Sequence, residues 1–262
     1  MDALVTAGGP MPDTLRPITD RPYKCELELG GRRIIDRCLE ALHAAEHIER
    51  VCLVGPPALR DTVDLGADDL WIDERGSGTG NLMVGLEALA DREQILFCAS
   101  DMPFVTAAGF DDMVRRTPAG AGFVVPIYRR EDIEAALPES SNKYVPFKEG
   151  ALTASSSFIL GPRLLAAHAE RVETLFHFRK HFLRIFAMIG PGTALRFMLA
   201  MKFGWRVLSV PMLEAKISRM LGFPCRALFG CDAAFNFDID HERDYAEAVQ
   251  ALARQTGGSC SS

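Results

Sequence analysis

Two adjacent glycines, Gly8 and Gly9, follow an apolar run at 3–7, and a lone lysine, Lys24, comes fifteen residues after the second of them. A glycine backbone approaches an anion closely and takes dihedrals closed to other residues, so the N–H groups of such a turn suit phosphate oxygens. Lys24, with Arg16 and Arg21 from the same loop, supplies charge that would neutralise phosphate. Far along the chain, Asp101 follows the apolar run 94–100, and Asp238 and Asp240 stand two apart in FNFDIDHERDY. One or two carboxylates together with phosphate oxygens are the ordinary ligands of Mg²⁺. Alternation along a short strand would put Asp238 and Asp240 on one face, where they repel unless a cation or a basic group lies between them. Each feature also has a plain structural reading: Gly-Gly can simply turn the chain, and Asp101 can cap a helix or a turn. The loop from 8 to 24 is longer than a turn requires, yet it is neither GxxxxGK[ST] nor GxGxxG.

These residues need a frame to bring them together. Apolar runs at 3–7, 50–55, 69–73, 94–100 and 122–128 alternate with amphipathic segments at 32–46, 80–91 and 106–117. That pattern predicts strands covered on both faces, joined by right-handed crossovers into a mostly parallel sheet: a Rossmann-like, three-layer α/β/α fold. Ligands in such sheets bind beyond the carboxyl ends of the strands, which points to the loops after 3–7 and 94–100. A chain of 262 residues with 48% hydrophobic content suits one domain, read as 1–254, with a short polar tail at 255–262 expected to be disordered. A net charge of −6 argues against a dedicated nucleic-acid binder. Seven cysteines without CxxC spacing fit reduced thiols in a cytoplasmic protein. Neither a leader-like N-terminal pattern nor an apolar run of membrane-spanning length is present.

Taken together and in order, AGG at 7–9, Lys24 ahead of Gly30-Gly31, SDMP at 100–103 and DIDHERDYAEAV at 238–249 resemble the MobA-like nucleotidyltransferases of the nucleotide-diphospho-sugar transferase fold. The resemblance covers residues 1–160 and 235–253. It implies transfer of a nucleoside monophosphate from a nucleoside triphosphate, CTP or GTP, to a phosphorylated acceptor, with release of pyrophosphate. Carried over by position, Gly8 and Gly9, with Ala7 before them, would cradle phosphate, Lys24 would pair with it beside either Arg16 or Arg21 of the same loop, and Lys24 and Asp101 would be catalytic. Asp101 would ligate Mg²⁺, with Asp238 or Asp240 completing the metal site. Gly78 and Asn81, from the glycine-rich stretch 74–89, would lie beside the base, although Asn81 can equally cap the following helix. Two departures stand out: no glycine lies between Gly9 and Lys24, and Ser155, Ser156 and Ser157 replace glycines of relatives. Those hydroxyls fit either substrate binding or turn chemistry. A glycosyltransferase using a nucleotide-sugar, and a nucleotide-binding scaffold without catalysis, are the alternatives.

Residues 160–232 hold eleven Lys and Arg against four Asp and Glu, a local charge of +7 that leaves −13 on the remainder. HFRKHFLRIFAMIG and ALRFMLAMKFGWRV, parted by the break Gly190-Pro191-Gly192, read as helices of an insertion at about 161–232. Such an insertion can pack as a helical subdomain with its cations in solvent, close over the phosphate of a small-molecule or lipid-pathway acceptor, form a homodimer, or rest on an anionic membrane surface as a peripheral contact. His177 and His181, four residues apart, are read as part of this positive face, because cations at 179, 180 and 184 oppose metal binding.

Overall fold

Alternate residues of the first strand face two different cores. In the computed structural model, Ala3 and Val5 pack among side chains such as Cys38, Leu42 and Phe110, whereas Leu4 packs with Leu82, Leu86 and Leu221 on the opposite face. A strand buried on both faces requires helices above and below it, which is the origin of the three layers. The structure describes residues 1–137, 142–166, 174 and 181–258.

The chain runs β1 (Asp2–Thr6), the small hairpin β2 (Glu28–Leu29) and β3 (Arg32–Arg33), α1 (Ile34–His43), β4 (Arg50–Gly55), β5 (Leu70–Asp73), α2 (Gly78–Ala88) and β6 (Ile95–Ala99). It continues with α3 (Ala107–Arg116), β7 (Phe123–Arg129), α4 (Arg130–Ala136), β8 (Val145–Phe147), β9 (Gly150–Ala154) and β10 (Phe158–Leu160). The later elements are α5 (Pro162–Ala166), α6 (Phe182–Ile189), α7 (Pro191–Phe203), α8 (Val210–Leu221), β11 (Cys225–Phe229) and α9 (Glu242–Gly258). The five expected strands and three expected helices are all present, with ends displaced by at most three residues.

On α1, Ile34, Ile35, Cys38, Leu39 and Leu42 are buried at the spacing of one helical face. Each such fully buried Ile or Leu stabilises by about 1.5–3 kcal/mol relative to exposure. α2 closes on the other face through Gly85, where a Cβ would lie 2.3 Å from a methyl of Leu4.

Strand order in the main sheet is β5-β4-β1-β6-β10-β7-β9-β8, with β11 on the far side of β7. β1 lies parallel to β4 and β6, and β4 to β5. β10 and β9 oppose β7, pairing with its first and last residues respectively, while β11 runs parallel to it. The sheet is therefore mixed at this end and parallel in its core. From β1 the chain moves outward to β4 and β5, then returns to the opposite side of β1 as β6. This reversal opens a crevice at the carboxyl ends of β1 and β6. Thr6 pairs with Ala99, and two residues further along each strand come Gly8 and Asp101.

Among its described residues the late segment at about 161–232 is mostly helical, as expected, and it ends in β11. Residues 225–229 pair along β7, covering an edge that would otherwise present bare N–H and C=O groups. α9 continues to Gly258, beyond the expected end of the domain at 254, and residues 259–262 lie outside the described residues. Cys25, Cys38, Cys52, Cys98, Cys225 and Cys231 are buried and unbridged. Among the described residues no helix is long and apolar enough to cross a membrane.

Candidate active site

The loop after β1 is closed at its neck, and this is what brings Lys24 back to the glycines. The Lys24 N–H donates to the Gly9 carbonyl at 3.0 Å, Pro10 bridges to Tyr23, and the Met11 N–H donates to the Pro22 carbonyl at 2.8 Å. Met11 and Leu15 are buried with Leu27, Leu29 and Ile34, and with Phe237, Ile239 and Ala248 from the end of the chain. This one apolar cluster holds both the loop and the segment carrying the distal carboxylates. Burial pushes the neighbouring Cys25 thiol up to about 12, so it stays protonated and is no nucleophile.

Phe237 and Ile239 are buried, which turns Asp238 and Asp240 to the opposite side, as alternation along an extended segment requires. The expected strand, however, is absent: residues 237–240 pair with no neighbouring strand. Their surroundings are fastened by side chains instead. The Phe235 carbonyl accepts from Ser155 Oγ at 2.7 Å and from the Ser156 N–H at 3.1 Å. Asn236 Nδ2 donates to the Ala154 carbonyl at 2.7 Å, and Thr14 Oγ1 to the Asp240 carbonyl at 2.9 Å. Asp244 Oδ2 accepts from the N–H groups of Asp240 and His241, at 3.0 and 2.8 Å. Ser155 also accepts from the Ser157 N–H at 2.9 Å, and Ser157 Oγ lies 3.5 Å from Met102 Sδ. The serines thus bend the chain between β9 and β10 and anchor the acidic segment.

Lys24 Nζ stands 2.5 Å from Asp101 Oδ2 and is also bonded to Asp240 Oδ1. Lys24 therefore joins Asp101 to Asp240, a different pair from the Asp238 and Asp240 whose repulsion called for a basic group. Its ammonium and Asp101 are largely buried, at 14% and 18% exposure, whereas Asp240 is 55% exposed and screened by solvent. Burial alone would lower the Lys24 pKa, but attraction to Asp101 and Asp240 outweighs it and raises the pKa above the ordinary lysine value. Asp101, Asp238 and Asp240 each offer a carboxylate oxygen, all within 4.8 Å of one another, the one such cluster among the described residues able to hold a metal ion. Burial, then the charges of Asp101 and Asp240, push the Asp238 carboxyl up to about 7.

A carboxyl whose pKa is raised by folding binds more protons folded than unfolded between about pH 4 and pH 7, so its ionisation destabilises the fold as pH climbs through this window. Asp238→Asn should accordingly melt close to the parent at the acid end and several degrees above it at pH 8 without divalent cation. A melting difference independent of pH would show that Asp238 carries no such charge repulsion.

The remaining expected residues separate into two groups. Ala7 is buried, its N–H bonded to the Val54 carbonyl at 2.8 Å. A Cβ on Gly8 would fall 2.0 Å from Glu74 Oε2 and 2.6 Å from Asn81 Nδ2, whereas one on Gly9 would meet nothing within 4 Å. Glycine at position 8 therefore admits the close approach of the stretch before α2. Asn81 is not the helix cap: Ser77 Oγ takes that role, accepting from the Gly80 N–H at 3.0 Å, ahead of Gly78 as the first helical residue. Asn81 Oδ1 instead accepts from the Arg75 N–H at 2.7 Å, holding the loop against Gly8. Arg16 and Arg21 are directed elsewhere, Arg16 to the Arg21 carbonyl at 3.4 Å and Arg21 to Glu28 at 3.0 Å. Glu74 and Asp244 were not anticipated. Glu74 follows the carboxyl end of β5, the same positional signal that selects Asp101. His177 lies outside the described residues, and His181 precedes α6, its carbonyl accepting from the N–H groups of Arg184 and Ile185.

Residues 19–187 match the MobA-like NTP transferase domain. No curated protein matches the chain. Among solved structures, a hypothetical transferase from Thermus thermophilus is 27% identical with a TM-score of 0.78, covering 93% of this chain and 98% of that one. The 4-diphosphocytidyl-2C-methyl-D-erythritol synthase of Anaerococcus prevotii is 15% identical with a TM-score of 0.57, covering 97% of this chain and 96% of its own. A CMP:2-keto-3-deoxy-manno-octonic acid synthetase complexed with CTP is 14% identical with a TM-score of 0.56, covering 97% and 100%. The last two similarities concern the fold alone. The family match spans well over half of the sequence, including Lys24, the stretch from Glu74 to Asn81 and the strand leading to Asp101, and the chain belongs to the MobA-like NTP transferase family.

Proposed function

We propose that this protein transfers a nucleoside monophosphate from CTP or GTP to a phosphorylated acceptor and releases pyrophosphate. The observation that carries this reading is the convergence of Lys24, Asp101, Asp238 and Asp240 at the crevice into which Gly8 and Gly9 open. An acceptor phosphate oxygen forms a bond to the α-phosphorus of the triphosphate while the bond from that phosphorus to the bridging oxygen breaks, and pyrophosphate takes the electron pair. Two polyanions must meet in line, so positioning and charge neutralisation supply most of the catalysis.

The donor set fits Mg²⁺: three hard carboxylate oxygens, one raised carboxyl, and Asp101 Oδ1 buried without a hydrogen-bond partner. Asp101, Asp238 and Asp240 would hold the ion, which when bound supplies charge neutralisation to the phosphates. Lys24, whose ammonium stands at the same crevice, would bond phosphate oxygens. Gly8 and Gly9 offer backbone donors, while Glu74 and Asn81 line the side toward α2. CTP is the first donor to test, because the structural neighbours include cytidylyl-transferring enzymes.

The test is thermal stabilisation by CTP, GTP, ATP and UTP with Mg²⁺, followed by pyrophosphate release across phosphorylated acceptors. A ligand at a hundredfold excess over its Kd stabilises by about 2.7 kcal/mol, enough to resolve one donor. A shift with a nucleotide-sugar but with no triphosphate would replace this reading with glycosyl transfer. Binding without turnover of any acceptor would favour the scaffold.

A further inference from the structure

We infer that the face formed by α6, α7 and the turn after α7 docks the protein on an anionic lipid bilayer. This inference is independent of the nucleotidyl-transfer chemistry and rests on exposure and charge. Leu195, Met201, Phe203 and Trp205 are each between 50% and 54% exposed, with Leu183, Met198 and Met188 exposed beside them in sequence. α7 buries Thr193, Ala194, Phe197 and Ala200 and still presents Leu195, Met198 and Met201 outward, so it is apolar on both faces. A helix that only completes a core has no need of the second apolar face. Its inner side is satisfied within the fold, where Phe186 of α6 stacks on Phe197 with ring centroids 4.4 Å apart.

At the end of α7, Gly204 takes the left-handed conformation with φ 70°, reversing the chain so that Phe203 and Trp205 pack with centroids 5.3 Å apart. Lys202 Nζ lies 5.4 Å from the centre of the Phe203 ring. Exposed aromatics flanked by cations are the side chains that settle at the boundary between headgroups and acyl chains.

Charge chooses the occupant. Residues 174–213 contain no Asp or Glu, and in the described part of that stretch Arg184, Arg196, Lys202 and Arg206 are exposed. A two-fold contact between copies through this face would set like charges against one another with no acid to pair them. Anionic headgroups supply the missing counter-charge, and the aliphatic stems of the cations let their heads reach it.

The experiment uses the full chain with vesicles of phosphatidylcholine alone or mixed with phosphatidylglycerol. The protein has two tryptophans, and Trp71→Phe leaves Trp205 as the reporter. The expected result is flotation of the unsubstituted chain with mixed vesicles, weakened by salt, and a blue shift of Trp205 emission in the Trp71→Phe chain. The combined reversal Arg196→Glu, Lys202→Glu, Arg206→Glu should lower the bound fraction at least about tenfold. The combination Met201→Ser, Phe203→Ser, Trp205→Ser should do likewise in flotation while leaving soluble-acceptor turnover unchanged. No flotation with either vesicle, or equal flotation with both, overturns the inference. A blue shift that instead follows protein concentration without lipid, with a dimer in sedimentation, assigns the face to a second copy and overturns it too.

Discussion

Asp101→Asn should reduce pyrophosphate release by about 10³-fold or more, comparable to losing a preorganised charge-stabilising group, while the chain remains folded. The substitution keeps the size of the side chain and exchanges a charged oxygen for an amide. Asp101 Oδ2 accepts from Lys24 at 2.5 Å, and its other oxygen is buried without a partner, so both oxygens are committed to cations or left waiting for one. Asparagine retains one acceptor but brings an N–H₂ that points at Lys24 or at the metal position, where it repels either. Triphosphate binding measured by calorimetry without divalent cation should change little, because the Gly8-Gly9 turn and Lys24 are left in place. Binding with Mg²⁺ should lose most of its metal-dependent increment. Turnover within tenfold of the parent would remove Asp101 from the reaction and with it the proposed metal site.

The parallel half of the fold was legible because its strands are buried on both faces and read as unbroken apolar runs: Ala3–Val5, Val51–Val54 and Ile95–Leu96 have no exposed surface. β9, β10 and β11 were harder to see. β9 and β10 are short pieces parted by three serines, and β11 follows helices whose basic, aromatic character dominates the composition. Gly8, Asp101, Asp238 and Asp240 could be found from position, since carboxyl ends of strands and period-two spacing select them. Two things could not. That Lys24 sits between Asp101 and Asp240 depends on the loop neck and on Leu15 packing with Phe237 and Ile239, contacts more than two hundred residues apart. That Ser155 and Asp244 fasten the acidic segment likewise depends on backbone groups freed by the missing strand. The direction of the arginines was not legible either: their proximity in sequence to Lys24 says nothing about it, and Arg21 pairs with Glu28.

Lys24→Ala should weaken triphosphate binding by about 10- to 100-fold, in line with one to two charge-assisted hydrogen bonds lost, and should also destabilise the fold in a manner that Mg²⁺ reverses. Lys24 is the cation bonded to both Asp101 and Asp240, beside a third carboxyl that burial and then repulsion have already raised to about 7. Its own pKa is raised by folding, so its contribution is fully present below the ordinary lysine value and fades only in strongly alkaline solution. At neutral pH the substitution therefore removes all of it. Taking away one partner of a largely buried pair costs about 3 kcal/mol, and the exposure of Asp240 trims that figure. For a chain of this size the melting point should fall by roughly 6 °C or somewhat more. Added Mg²⁺ should restore most of the loss, since a divalent cation among Asp101, Asp238 and Asp240 relieves the repulsion that Lys24 had balanced. Nucleotide binding should stay weak under the same conditions, because the ion replaces the lysine at the carboxylates and not at the triphosphate. Recovery of stability without recovery of binding separates the two roles of Lys24. If Mg²⁺ leaves the variant's melting point untouched, the three carboxylates do not form a cation site; if binding returns with stability, Lys24 serves the carboxylates alone.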